Sequence, residues 1–417
     1  MTLISSHQPK RTLGPFVQWE QLNLICWGLL LVGFVLPFSI FVIASHRPPD
    51  GDFTGFYSLG RIAGTHPLSD LYDYELLKKI CTQVHPRRLM YGPLPYPPQV
   101  GLLFAPFALL PYGVAYILWL LITLALYAAG LRLVINRFLP LDPPRRSLLF
   151  FFAFAYCPFL IDTAASGQLT AIGVFALSLV LSEQDKDHQF RSGLALSLCI
   201  YKPTLLVLLL PMLLVTRRLK TLLGFAAGAA ALCAIPTAIA GFSIWPVFLK
   251  CIFSYGKDAS GSNAPVVRLL VKYIDFSSFS ALVHGGRSPV GLVILFSIAA
   301  GAALSLLWFW WKTSRQGGQF NMLLWATTIT WTMLLNLYVP IYDSAIIVLS
   351  LILTVGVLRQ SPAHAYLAPV KVLSLLILAG SWFTVLLAGA TGVQLLTLLF
   401  TALGILQFAA LRRFVHP

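Results

Sequence analysis

The stretch LNLICWGLLLVGFVLPFSIFVIA, residues 22–44, decides what kind of protein this is. It carries no charge and matches the roughly 20 apolar residues that a membrane-crossing helix needs. Lys10 and Arg11 precede it, as basic residues precede a signal peptide. A cleaved signal, however, has an apolar core of only about 7–15 residues followed by a small-residue cleavage site. The stretch is therefore read as a retained first span. The whole chain agrees: of 417 residues 58% are hydrophobic and 10% charged. A soluble chain is about half apolar and a quarter charged. A soluble enzyme, a disordered tail and a disulfide-rich secreted domain are all excluded. The six cysteines form no C-x-x-C pair and lie mostly in apolar runs, which argues against a zinc site or a disulfide framework.

Similar apolar stretches recur at 113–135, 219–241, 289–311, 320–338, 344–358, 371–389 and 393–411. Between them, 147–216 is interrupted by Asp162, Gln168, the charged patch 183–191 and Lys202-Pro203. It reads as four short helices, 147–163, 168–182, 191–201 and 204–216. The expectation is an all-α polytopic membrane protein, one integral domain over 1–417 with about 12 transmembrane helices. An even count puts both termini on one side, and charge tests it. The segments on that side hold 17 Lys/Arg and 5 acids, a net of +12, against 12 and 9, a net of +3, on the other. Lys and Arg accumulate on the cytoplasmic side, so both termini are expected in the cytoplasm of a plasma (inner) membrane protein. The excess of +15 then orients the chain, and no nucleic-acid partner is expected. Reading 193–215 as one span would put Arg217, Arg218 and Lys220 outside. The turn at Lys202 is thus either a pair of short spans or a re-entrant hairpin within 191–216.

Two long segments, 45–112 and 242–288, remain on the external side. Loops of that length usually carry function or are disordered. In the first, Phe53, Phe56, Tyr57 and Gly60 recur at i, i+3, i+4 and i+7, predicting a helix with one apolar face lying in the membrane interface. Asp52 stands at its start, either as an N-cap or as a general base facing a hydroxyl at the membrane surface. Lys202 is a charge deep in an apolar hairpin, a functional hypothesis by default, against a snorkelling side chain or a partner for Asp162. Arg268 and Lys272, spaced i, i+4, suit a phosphate or a solvated basic face. Asp343 binds sugar hydroxyls or caps the helix after it, and Gln168 hydrogen-bonds a ligand or opens a helical turn. Asp50-Gly51-Asp52 makes a D-x-D pattern in the first external loop, and two carboxylates alone make a poor cation cage.

Asp52-Phe53 with Tyr57, then Leu71-Tyr72-Asp73 and Tyr96-Pro97-Pro98, stand in a definite order before the second span. Gly167-Gln168, Lys202-Pro203, Asn263 with Arg268, and Pro340-Ile341-Tyr342-Asp343 follow. Over about 50–360 this resembles glycosyltransferase family 87, a GT-C superfamily branch of polyprenyl-phosphate-mannose-dependent α-1,2-mannosyltransferase-like membrane proteins. The resemblance implies a GT-C-like fold and inverting transfer of a hexose, mannose in most relatives, from a polyprenyl-phosphate donor to a lipid-linked or glycan acceptor at the external face. It implies Asp52 as the general base, with the catalytic region in 45–112, and Lys202, Arg268, Gln168, Asp343, Tyr57 and Tyr96 as substrate-binding residues. No cofactor and no metal are implied; the polyprenyl-phosphate sugar is a substrate, and membrane lipid is the other partner. The alternative class is a secondary transporter, which many spans and broken helices would suit. Transporters of that kind show internal repeats, and the halves 1–216 and 217–417 do not match.

Overall fold

The computed structural model describes residues 14–45, 51–86, 94–183, 188–258, 270–285, 288–313 and 318–415. Among them all regular structure is helical, and the one extended pairing is an isolated antiparallel bridge between Tyr273 and Pro340. The first span runs through α1 (Gly14–Leu30), a π-helical segment (Leu31–Val35) and α2 (Leu36–Ser45). Leu24, Leu29 and Val32 on it are exposed, as side chains facing lipid would be. Polar side chains hold it to the bundle. Asn23 donates to the carbonyls of Trp19 (2.9 Å) and Pro144 (2.7 Å), and the Trp27 indole donates to Ser147 Oγ (3.0 Å).

The first long loop folds into α3 (Asp52–Thr65), a 3₁₀ turn (Leu68–Tyr72), α4 (Tyr74–Val84) and α5 (Pro98–Ala108). Beyond it come α6 (Tyr112–Phe138), α7 (Pro143–Phe154), a π-helical turn (Pro158–Ala165), α8 (Thr170–Ser182) and α9 (Gln189–Ser197). Two 3₁₀ turns, Leu198–Tyr201 and Pro203–Leu206, lead into α10 (Leu209–Val215) and α11 (Leu219–Ala240). The second long loop supplies α12 (Ile244–Asp258) and α13 (Phe276–Val283). The chain ends with α14 (Pro289–Thr313), α15 (Gln319–Leu334), a 3₁₀ turn (Ile341–Ile346), α16 (Ile347–Leu358), α17 (Leu367–Thr391) and α18 (Leu395–Val415).

Among the described residues, seven helical stretches are long and apolar enough to cross a membrane: Trp19–Ile40, Tyr112–Phe138, Leu219–Ala240, Pro289–Lys312, Ile341–Leu358, His364–Thr391 and Leu395–Val415. An eighth is reached if Pro143–Phe154 and Pro158–Ala165, bent by 62°, count as one broken span. The protein is a polytopic α-helical membrane protein. The expected 12 spans exceed what length supports. Helices do occupy 170–182, 189–197, 209–215 and 319–334, but each falls short of the roughly 20 residues of a full crossing. Where lipid supplies no hydrophobic force between helices, small and polar side chains must join them. Gly193 and Gly224 do this at the α9–α11 contact, where each Cβ would strike the other helix's backbone. Gln407 on α18 donates to Ser350 Oγ (2.9 Å) and Thr354 Oγ1 (2.8 Å) on α16.

α3 is covered on more than the one apolar face that its periodicity predicts: every residue from Phe53 to Gly60 is buried, as is Ile62. The reason is α5, which crosses it at backbone contact: a Cβ on Gly60 would overlap the Phe104 carbonyl. Phe56 stacks on Phe104 with ring centroids 5.2 Å apart, and meets Tyr96 edge-on at 5.0 Å. Gly60→Val should therefore force α3 off α5 and cost about 1–3 kcal/mol of overpacking. The thermal midpoint of the purified protein in detergent should fall; an unchanged midpoint would mean that the crossing tolerates side chains.

Candidate active site

Asp52 is the first residue of α3, and the residue before it, Gly51, holds the cap position without any side-chain bond. Asp52 is thus not the N-cap residue itself. It turns to the loop between the π-helical turn and α8, where Oδ2 accepts from Gln168 Nε2 (2.6 Å) and Ser166 Oγ (3.4 Å). The backbone follows: Asp52 N–H donates to Ser166 Oγ (3.1 Å) and Phe53 N–H to the Ser166 carbonyl (2.9 Å). This approach needs glycine on the loop, because Gly167 has φ +81° and a Cβ there would lie 2.5 Å from Phe53 Cβ. Trp119 Nε1 donates to the Gly167 carbonyl (3.0 Å) and Tyr116 to the Ala165 carbonyl (2.7 Å), so α6 holds the loop from behind.

Gln168 is buried, and its own orientation is set by donors to Oε1: the Tyr96 hydroxyl (3.3 Å) and Leu169 N–H (3.4 Å). With the carbonyl end so engaged, the amide NH₂ must face Asp52. Tyr96 is held in turn by Tyr72, whose hydroxyl donates to the Tyr96 carbonyl (3.1 Å). Burial pushes the Tyr72 phenol well above its ordinary range, so it stays a donor. The Leu71-Tyr72-Asp73 motif is thereby explained as scaffolding. Leu71 packs on Gly101 of α5, Tyr72 supports Tyr96, and Asp73 caps α4 by accepting from Leu76 N–H (3.1 Å).

A second centre stands nearby. Lys202 Nζ lies 2.5 Å from Asp343 Oδ2, and Asp343 is 1% exposed. Lys202 sits in the gap between two 3₁₀ turns with φ −141° and ψ 85°. Pro203 enforces that gap, since a residue before proline is pushed out of the helical region. Asp343 occupies the 3₁₀ turn before α16 and makes no cap bond there; Thr170 Oγ1 donates to its other oxygen at 3.4 Å. The Lys202 ammonium also stands 4.4 Å above the centre of the Tyr342 ring. Its partner is Asp343, not Asp162. An ammonium has three N–H groups, and the Asp343 carboxylate is the acid that pairs with them among the described residues.

Tyr342 joins the two centres, with Tyr96, Asp343 and Asp52 all within electrostatic reach of its hydroxyl. Thr163 Oγ1 donates to the Tyr342 carbonyl at 3.4 Å. Asp162 faces the charges of Lys272 and Asp52, which adds a second carboxylate to the neighbourhood. Of the residues singled out by sequence, Asp52, Gln168, Tyr96, Lys202 and Asp343 come together. Tyr57 does not join them; its hydroxyl donates to the Leu110 carbonyl (2.9 Å) and its ring packs on Tyr112 (5.2 Å). Arg268, with Asn263 and Asp50, lies outside the described residues. Ser166 and Thr170 carry no sequence signal, since a lone hydroxyl in an apolar run has no distinguishing pattern.

The sequence model of glycosyltransferase family 87 matches residues 94–336. The chain belongs to that family. It is a membrane glycosyltransferase, which decides against the transporter class. No curated protein and no solved structure matches it. The matched span contains Tyr96, Gln168 and Lys202, while Asp52 and Asp343 lie on either side of it.

The 2.6 Å contact yields a pH test. Gln168→Glu would set a second carboxylate against Asp52, and like charges raise the pKa of one member of such a pair. The acidic limb of the transfer pH profile should move to higher pH, with the carboxylate pair holding a proton over a wider range. An unmoved limb in a folded variant would separate Gln168 from the residue that titrates.

Proposed function

We propose that the protein transfers a hexose, mannose on the family resemblance, from a polyprenyl-phosphate donor to a hydroxyl of a lipid-linked or glycan acceptor, with inversion. The observation that carries this reading is the pairing of Asp52, held by the neutral donors Gln168 and Ser166, with a Lys202–Asp343 couple across the Tyr342 phenol. Asp52 accepts the proton of the acceptor hydroxyl as its oxygen attacks the anomeric carbon. The bond to the phosphate breaks, and a phosphodiester leaves as a monoester with greater negative charge. Lys202 meets that charge with the N–H groups it does not share with Asp343, a charge-assisted contact that needs no metal. Asp343 keeps the ammonium charged and aimed before the donor arrives, and Arg268 is proposed as a second phosphate partner. Tyr96 and Gln168 are proposed to line the sugar side; Tyr57 contributes packing.

Two apolar cavities support lipid-linked substrates. One, of about 350 Å³, runs from Tyr156 past Leu351 and Leu378 to Lys371. Its Tyr156 hydroxyl lies 3.0 Å from Ser344 Oγ, beside Asp343, so an isoprenoid chain there would bring its phosphate toward Lys202. The other, of about 310 Å³, lies between Phe38 of the first span, Leu120 of α6 and Ala165, next to the loop that holds Asp52. The charge distribution supports cytoplasmic termini and an active site on the external face of the plasma (inner) membrane.

Asp52→Asn, assayed in lipid with a polyprenyl-phosphate-mannose donor, should lower kcat by about 100-fold or more while leaving donor binding intact. Full activity would remove Asp52 as the base. Lys202→Met should weaken donor binding about 10–100-fold, the worth of a hydrogen bond to a charged group. Alone it strands the Asp343 carboxylate, a loss of about 3–5 kcal/mol for a buried pair. Lys202→Met/Asp343→Asn is therefore the cleaner variant. Wild-type donor affinity in it would leave the couple structural.

A further inference from the structure

A second fully buried carboxylate besides Asp343, that of Asp275, has no place in the chemistry above. It is 0% exposed, and no cation among the described residues pairs with it. Three donors satisfy it instead. Oδ1 accepts from Ser278 N–H (2.8 Å), capping α13; Oδ2 accepts from Ser278 Oγ (2.8 Å) and from Val339 N–H (2.8 Å). The last bond spans two distant segments, the second long loop and the chain that leads to Asp343. Around it the segments are stitched on both sides: Ile274 N–H donates to the Val339 carbonyl (2.9 Å) and Ile341 N–H to the Lys272 carbonyl (2.8 Å). The start of α18 anchors the loop side, with Gln394 Nε2 donating to the Val271 carbonyl (2.6 Å) and Thr397 Oγ1 to the Ile274 carbonyl (2.8 Å).

The other side needs holding. Tyr338, immediately before the latched residue, has φ +54°, a conformation a non-glycine residue adopts only when its surroundings impose it. From there the chain runs through Pro340 and Ile341 to Tyr342 and Asp343, four residues past the latch. We infer that Asp275 is a positioning residue for the donor pocket, its bond to Val339 setting where Asp343 and Tyr342 stand and hence where Lys202 points. This rests on the proposed reading of Lys202 and Asp343 as the donor-phosphate side.

Asp275→Asn isolates the latch from the cap. Asparagine is as good an N-cap as aspartate, so its Oδ1 keeps the bond to Ser278 N–H. Its NH₂ then faces both groups that bonded Oδ2: the Ser278 hydroxyl can turn to accept from it, whereas the Val339 N–H stands donor against donor and loses its bond. Ser278→Ala is the control, since it keeps both backbone bonds. Each variant of the full chain is purified in lipid nanodiscs, and binding of polyprenyl-phosphate-mannose is measured beside hydrogen exchange. In Asp275→Asn the donor Kd should rise about tenfold, and amide exchange over 339–343 should quicken, with the thermal midpoint nearly kept. Ser278→Ala should stay within about twofold in Kd. Adding Asp275→Asn to Lys202→Met/Asp343→Asn should weaken binding by no more than a further twofold, because both act on one pocket. An unchanged Kd in Asp275→Asn, or fully additive effects, would overturn the latch. Lys202→Met/Asp343→Asn with wild-type affinity would instead overturn the donor-site reading, while exchange over 339–343 would still decide whether Asp275 holds that segment.

Discussion

An ammonium surrounded by apolar helices must have a counter-charge, and in this protein Lys202 has Asp343 at 2.5 Å. Much else follows from meeting that one demand. The chain is broken at both residues. Pro203 splits the Lys202 hairpin into two 3₁₀ turns, and a third such turn carries Asp343. Non-helical backbone at membrane depth is tolerated only where protein or a water-lined cavity surrounds it. Among the described residues 158–215 is made of short helical pieces, with Phe159, Leu177, Leu205 and Leu213 buried against the rest of the bundle.

The carboxylates of Asp52 and Asp343 have different surroundings. Asp343 is matched to a cation and a threonine hydroxyl, which makes it a fixed electrostatic support. Asp52 accepts from an amide and a hydroxyl, those of Gln168 and Ser166, which orient its Oδ2. The aromatic residues between them, Tyr96 and Tyr342, supply hydroxyls beside the gap, and both are held by the backbone or side chains of other segments.

The membrane class and most long helices are legible in the sequence, because about 20 apolar residues in a row seldom occur in a chain that folds in water. The short helices of 147–216 are legible as breaks but not as crossings: a Lys-Pro step shows where a helix must stop, not how deep it lies. The helix at Asp52 is visible in its i, i+3, i+4, i+7 pattern, yet the extent of its burial is not. Periodicity identifies an apolar face; it cannot say that glycine at 60 lets a second helix cover the rest. The motif at 71–73 points to function and turns out to scaffold Tyr96, since a motif marks a constraint without naming its kind.

By itself the sequence determined the solvent, the helical class, the orientation signal in the distribution of Lys and Arg, and the short roster of charges that must find partners in a lipid environment. Those are properties of composition and local order, fixed by transfer free energy and by the backbone limits of proline and glycine. Which acid answers which base was decided only by the tertiary structure. Lys202 and Asp343 are 141 positions apart, Gln168 and Asp52 116, and nothing local links either pair. Their meeting depends on how helices pack, on the room left at Gly60 and Gly167, and on a buried carboxylate at 275 that ties one distant segment to another.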